Sequence, residues 1–205
     1  MGNAVVERDP SAYWMWLASR SAAIVAFVLI ACSVTLGLFM ANRLVRRPGL
    51  TRSLLKVHEQ IALAALVAIA LHGVLLLGDK WLKPGLVGIT IPFSMSYRPL
   101  WTGLGIIGGY VAVIVGPTYF IRRKIGARRW RKIHRTAAIV YVLGLLHALQ
   151  SGTDGATMWF RAIAAVSAAP IMVLLALRYL RSAPKQTPRR GTGARTGSPA
   201  GTHVA

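Results

Sequence analysis

Two apolar stretches of this chain each hold a histidine near either end. "HEQIALAALVAIALHG" runs from His58 to Gly73 and places His58 and His72 fourteen positions apart. "HRTAAIVYVLGLLHAL" runs from His134 to Leu149 and places His134 and His147 thirteen apart. The sequence has five histidines, and four of them lie in these two stretches. Strongly polar groups in an otherwise hydrocarbon-compatible segment are costly, so they mark a site rather than a surface. At 1.5 Å per helical residue, His72 stands about 21 Å from His58 along its helix, and His147 about 20 Å from His134. Two helices running in the same direction would match these residues by depth, His58 with His134 and His72 with His147.

One imidazole from each helix at two depths suits two metal centres. Zinc asks for four protein ligands in a structural site and three in a catalytic one, and no Cys, Asp or Glu set is placed to complete either. A haem brings four equatorial nitrogens of its own, so two axial histidines complete its iron, and facing helices of a bundle are a usual setting for such a cofactor. Two b-type haems stacked across a membrane fit this pattern. The helical wheel fits unevenly. Fourteen residues return to within about 40° of the starting face, whereas thirteen land about 140° away in an ideal helix. A local change of winding near Gly144, or a tilted haem, would have to absorb the difference. Two other readings stand beside this one: packing histidines bonded to neighbouring backbone or hydroxyls, and a haem-free transport or interaction protein whose histidines relay protons or bind metal.

The elements that must position these residues are membrane helices. Of 205 residues, 55% are hydrophobic and 15% charged, with a mean hydropathy of +0.53, too apolar for an ordinary soluble domain. Runs of about 20 apolar residues, enough to cross about 30 Å of hydrocarbon, recur along the chain. The sequence predicts an all-α integral membrane protein with five transmembrane helices: Trp14–Ala41, Leu55–Leu77, Trp101–Ile121, Ile133–Leu149 and Met158–Leu180. Tyr13, Trp14, Trp16, Trp81, Tyr97, Trp101 and Trp159 gather near one set of helix ends, as an interfacial aromatic belt does. Residues 1–12 form an N-terminal extracytoplasmic segment, 13–180 the transmembrane domain, and 181–205 a basic cytoplasmic tail. The tail's Pro, Gly, Ser and Thr predict disorder. Glu7, Arg8 and Asp9 open the chain where a cleaved signal would have a basic region. The run through "LIAC" (Leu29 to Cys32) continues past the cysteine, as a retained span would. One cysteine excludes an intrachain disulfide and an all-cysteine metal site.

The net charge of +20 would suggest nucleic acid in a soluble domain. Here the basic residues fall between apolar runs, so topology explains them and no nucleic-acid partner is expected. Five Lys and Arg lie between Asn42 and Lys56, eight between Arg122 and Arg135, and six from Arg178 onward. The other side holds Arg8, Lys80, Lys83, Arg98 and Arg161, with Arg20 inside the first helix. The bias places the N-terminus outside and the tail in the cytoplasm, with a bacterial plasma membrane as the expected location.

With these residues in view, the sequence resembles the ferric reductase-like transmembrane family. That family includes membrane ferric reductases, NADPH oxidases and the haem subunit of bacterial periplasmic methionine-sulfoxide reductases. Its pattern is one histidine pair with thirteen residues between and a second with about twelve between, here His58/His72 and His134/His147. "WRKIHRTAAIVYVLGLLH" repeats the family's arrangement of tryptophan, His-Arg, tyrosine and final histidine. The likeness runs from about Tyr13 to Leu180. It implies axial ligation of an inner haem iron by His58 and His134 and of an outer one by His72 and His147. Arg20, in "YWMWLASRSAAI", resembles an arginine on the family's preceding helix and would contact an outer-haem propionate, or else snorkel outward. Lys56, Arg131 and Arg135 could serve the inner propionates, and Glu59 has no assigned role. Two departures are expected. The first helix of the six found in oxidases and many eukaryotic reductases is missing, and so are the flavin and nicotinamide domains, since no Gly-rich fingerprint follows Arg181.

The expected function is a five-helix, di-haem b electron carrier. Electrons would pass from a separate flavoprotein or quinol on the cytoplasmic side to an extracytoplasmic acceptor such as ferric iron, a flavoprotein or a reductase subunit. The chain would be an oxidoreductase component with no catalytic residue of its own, partnered otherwise by membrane lipid. A topology test follows from the charge bias: a reporter fused after Ala205 is expected to be active in the cytoplasm, and a cysteine introduced at Thr153 to label from outside. An externally accessible tail would reverse the assignment of inner and outer sites.

Overall fold

In a computed structural model the described residues are 13–45 and 47–182. Residues 1–12 and nearly all of the tail, for which an extracytoplasmic segment and disorder were expected, lie outside them. Eight helices follow in order: α1 (Trp14–Ala41), α2 (Pro48–Leu76), α3 (Gly85–Thr90), α4 (Pro99–Val115), α5 (Arg122–Ile125), α6 (Ala127–Arg135), α7 (Ala137–Ser151) and α8 (Met158–Ser182). A 3-10 turn, Gly116–Tyr119, prolongs α4. No strand occurs among the described residues.

Four helices are long and apolar enough to cross a membrane: Trp14–Ala41, Gly49–Leu76, Pro99–Tyr119 and Met158–Arg181. Apolar side chains cover them nearly all round, as lipid requires, and their backbone hydrogen bonds close within each helix. The fifth expected helix, Ile133–Leu149, is interrupted. At Thr136 the amide bonds back to Ile133 O at 3.0 Å, and Ile139 N bonds to Thr136 O at 2.9 Å. The Thr136 hydroxyl also donates to Ile133 O at 2.7 Å. These i→i+3 closures separate α6 from α7 and leave α7 with 15 residues. Pro170 lies inside α8 without ending it, as membrane helices tolerate.

Close packing joins α1 to α2 and α4 to α7, each an antiparallel pair, and α1 also packs on α7 and α8. The core of α1, α7 and α8 is Phe27, Ala31, Tyr141, Phe160 and Ile171. Phe27 stacks on Tyr141 with ring centres 5.8 Å apart, and the Tyr141 hydroxyl lies 2.9 Å from Ser167 Oγ. The helices α2 and α7 are not among the closely packed pairs.

One end of the bundle is aromatic. Trp81 meets Tyr97 edge-on there at 6.0 Å, and the α3–α4 connection reaches α7 through Tyr97 to Ser151 O and Arg98 to Gln150 O. The other end is basic. Asn42 Nδ2 donates to Leu174 O at 3.0 Å and Arg181 to Asn42 O at 2.8 Å, which ties α1 to α8. At the basic end Gly126 adopts φ +87, a conformation open to glycine and strained for other residues, and so turns α5 into α6.

Gly103 makes the sharpest packing demand in α4. A Cβ there would stand 2.3 Å from Phe93 Cδ1 and 2.9 Å from the Phe93 backbone nitrogen. Gly103→Ala is therefore expected to destabilise by about 1–3 kcal/mol, read as a lower melting temperature in detergent. Gly49→Ala, with nothing within 4 Å of the added carbon, is expected not to lower it.

Candidate functional site

The structure brings the four helical histidines together in two pairs. The ring centres of His58 and His134 are 6.0 Å apart with planes at 88°, and those of His72 and His147 are 6.3 Å apart at 64°. The first pair lies toward the basic end and the second toward the aromatic end. In each pair α2 supplies one ring. The other comes from α6 for His134 and from α7 for His147. The thirteen-residue step therefore spans two helices, and its angular misfit is taken up at Thr136, not near Gly144.

Helix α1 holds the α2 rings. His72 Nδ1 lies 3.0 Å from the Ser19 carbonyl, which can only accept, so this nitrogen carries the proton. Ser19 Oγ lies 3.0 Å from the same nitrogen and donates to the His72 carbonyl at 2.9 Å. Ser19 is 1% exposed, the most enclosed side chain described. Ser33 Oγ stands 3.3 Å from His58 Nδ1, and a Cβ on Gly37 would come within 3.3 Å of the His58 ring. Helix α4 holds the remaining outer ring: His147 Nδ1–H donates to Trp101 O at 2.9 Å. Gly105 makes room for it, since a Cβ there would stand 2.5 Å from His147 Nδ1. In His72 and His147 the other nitrogen, Nε2, is thereby left with its lone pair. That is the arrangement of a metal-ligating imidazole whose second nitrogen is fixed by an outer partner.

These pairs fit a haem iron. A metal–nitrogen bond of about 2 Å on each side, with about 1 Å more to each ring centre, puts two imidazoles on one ion about 6 Å apart. Among the described residues no group of three or more His, Cys, Asp or Glu could share a metal ion. Two imidazoles at each level are the number that a metal arriving with its own equatorial nitrogens would need.

Arg20 is placed differently from a free guanidinium awaiting a propionate. It makes a two-pronged contact with Asp154, in the α7–α8 connection, through Nε to Oδ2 and a terminal nitrogen to Oδ1. Its guanidinium also lies 5.1 Å from the Trp16 ring centre. Sequence reasoning missed Asp154, because nothing local ties it to α1. It also missed Ser19 and Ser33, for which a signal was present. They are fourteen positions apart, the same step as His58 and His72, as an antiparallel helix pair in constant register requires.

The sequence profile of a family described as "Ferric reductase like transmembrane component" matches residues 22–145. That stretch takes in His58, His72 and His134 and ends two positions before His147. No solved structure matches the chain.

The side chain of Asp154 is 10% exposed and that of Arg20 34%. Removing either alone leaves a partly enclosed charge without its partner. A double-mutant cycle of Arg20→Ala and Asp154→Ala is expected to give a coupling of about 1–3 kcal/mol in detergent unfolding. Additive losses would mean that the contact contributes nothing to holding α1 against the α7–α8 connection.

Proposed function

We propose, because this chain belongs to the ferric reductase-like transmembrane component family, that it carries electrons across the membrane through two b-type haems. It is an integral membrane protein, all-helical in its described residues. The observation that carries the reading is the pair of ring separations, 6.0 and 6.3 Å, at two levels of the bundle. His58 and His134 would hold the inner haem, and His72 and His147 the outer. When bound, each haem supplies a one-electron Fe(III)/Fe(II) couple. The fifth span is then α6 and α7 together, kinked at Thr136.

The chain's own residues do the positioning. Ser19 and the Trp101 carbonyl fix the Nδ1 proton of His72 and His147, which holds each Nε2 toward a metal and makes the ring a stronger donor. Gly37 and Gly105 let neighbouring backbone approach the rings. Apolar residues of α1, α2, α4 and α7 surround the two levels, and burial of this kind is one of the levers that tune a haem's potential. Arg20 keeps Asp154 neutralised at the aromatic end, and a propionate contact there would have to be shared with that carboxylate. The positive-inside bias supports entry from a cytoplasmic flavoprotein or quinol and exit to an extracytoplasmic acceptor or reductase subunit.

Purified protein expressed with adequate haem is expected to contain about two non-covalent haems per chain, since no C-x-x-C-H sequence is present. His72→Ala or His147→Ala is expected to remove the outer one, and His58→Ala or His134→Ala the inner. The measurements are a pyridine haemochrome assay and low-temperature absorbance. No haem in the wild type would leave the histidines to proton relay or metal binding. Loss of the same haem from the His58 and His72 variants would overturn the pairing.

A further inference from the structure

Three of the four rings have a hydrogen-bonding partner at Nδ1: Ser33 for His58, Ser19 for His72 and Trp101 for His147. His134 has none among the described residues. The antiparallel register of α4 and α7 that gives His147 the Trp101 carbonyl stops at Thr136, where α6 leaves the axis of α7. No α4 carbonyl is then delivered to His134.

What His134 has is an aromatic face. The Trp130 indole lies one turn earlier on α6 and stacks on the His134 ring with centres 5.0 Å apart and planes at 19°. A buried tryptophan ordinarily spends its N–H on a hydrogen bond. Here Trp130 Nε1 is buried with no partner among the described residues, so its ring faces are what fix it. Tyr119 packs edge-on against its rim at 6.3 Å, and the Arg122 guanidinium caps Tyr119 at 3.8 Å from the ring centre. Guanidinium, phenol and indole thus follow one another in contacts that end on the imidazole.

We propose that Trp130 is the positioning residue of the inner pair, orienting the His134 imidazole by stacking where the other three rings are oriented by hydrogen bonds. A ring turned about its own axis presents Nε2 differently, so an unsupported His134 would be a poorly directed ligand even with His58 in place. The two levels also differ electronically. His72 and His147 both donate Nδ1–H to a carbonyl, which strengthens an imidazole as an electron donor to a metal, while His134 does not among the described residues. The inference rests on the haem reading above, and on residues of this chain alone for its geometry.

The test uses the full-length protein and its Trp130→Leu and Trp130→Phe variants. Haem per chain and the low-spin electron paramagnetic resonance spectrum of the oxidised protein are measured, with the inner signal identified by its absence from His58→Ala. Trp130→Leu is expected to shift the inner signal, or to lower haem content from two towards one, while the outer signal stays in place. Trp130→Phe, which keeps a ring face and lacks the N–H, is expected to restore both signal and content. A Leu variant with two haems and the wild-type inner signal would overturn the proposal, as would Phe and Leu variants altered alike. Wild-type protein without haem would instead remove the reading on which the proposal rests.

Discussion

A ring nitrogen buried among apolar helices must find its partner within the protein, because the surrounding hydrocarbon offers none. In this chain α1 meets that demand twice. Ser19 and Ser33 share the spacing of His72 and His58, and the antiparallel register of α1 on α2 sets each serine beside one imidazole. The register also places Gly37 against the His58 ring. Helix α4 repeats the device with backbone in place of hydroxyl, the Trp101 carbonyl taking the His147 proton and Gly105 clearing the space. At the level of His72 and His147 the seam between α2 and α7, which are not a closely packed pair, can then be spanned by two imidazoles whose outward nitrogens are already committed. The slip of a single residue between α1 and α2 would turn the serines off the ring face and leave two buried nitrogens unsatisfied.

The two ends of the bundle are held by different chemistry. At the aromatic end, connections do the work: Asp154 clamps Arg20, and the α3–α4 segment reaches the end of α7 through Tyr97 and Arg98. At the basic end, α1 and α8 are joined through Asn42, and a second helical segment, α6, carries one of the four histidines. The asymmetry follows from Thr136. His134 lies on α6, a separate and strongly basic helix, whereas His147 lies within α7.

Much of this was legible in the sequence because apolar length and charge distribution act locally. Trp14–Ala41 and the C-terminal span starting at Met158 begin where the sequence placed them, and α2 begins earlier because Pro48 is a favoured first residue of a helix. The pairing of the four histidines could be argued from depth alone, since rise per residue is fixed. What sequence could not show depends on the third dimension. The turn at Thr136 looks unremarkable in a run of helix formers. Asp154 reads as one acid in a polar loop, although it meets Arg20 across 134 positions. Trp130 reads as one aromatic residue in a basic stretch until its ring is found flat against His134. Ser19 and Ser33 stood between these cases: their common step was visible, but it gains meaning only once α1 is known to lie on α2.

Helix α1 precedes α2, α7 and α8 in the chain and contacts all three. Some 116 residues separate Ala41 from Met158, which at a synthesis rate of about 5–20 residues per second takes roughly 6–23 seconds. Early in that interval α1 can settle on α2 and Ser19 can meet His72, while Phe27 waits for Tyr141 and Arg20 for Asp154, both made late in it. The nascent chain would thus pass through a stage in which α1 and α2 are made and the flank of α1 that meets α7 and α8 is not yet covered. Helices α7 and α8, which follow in the chain, would be the ones that cover it.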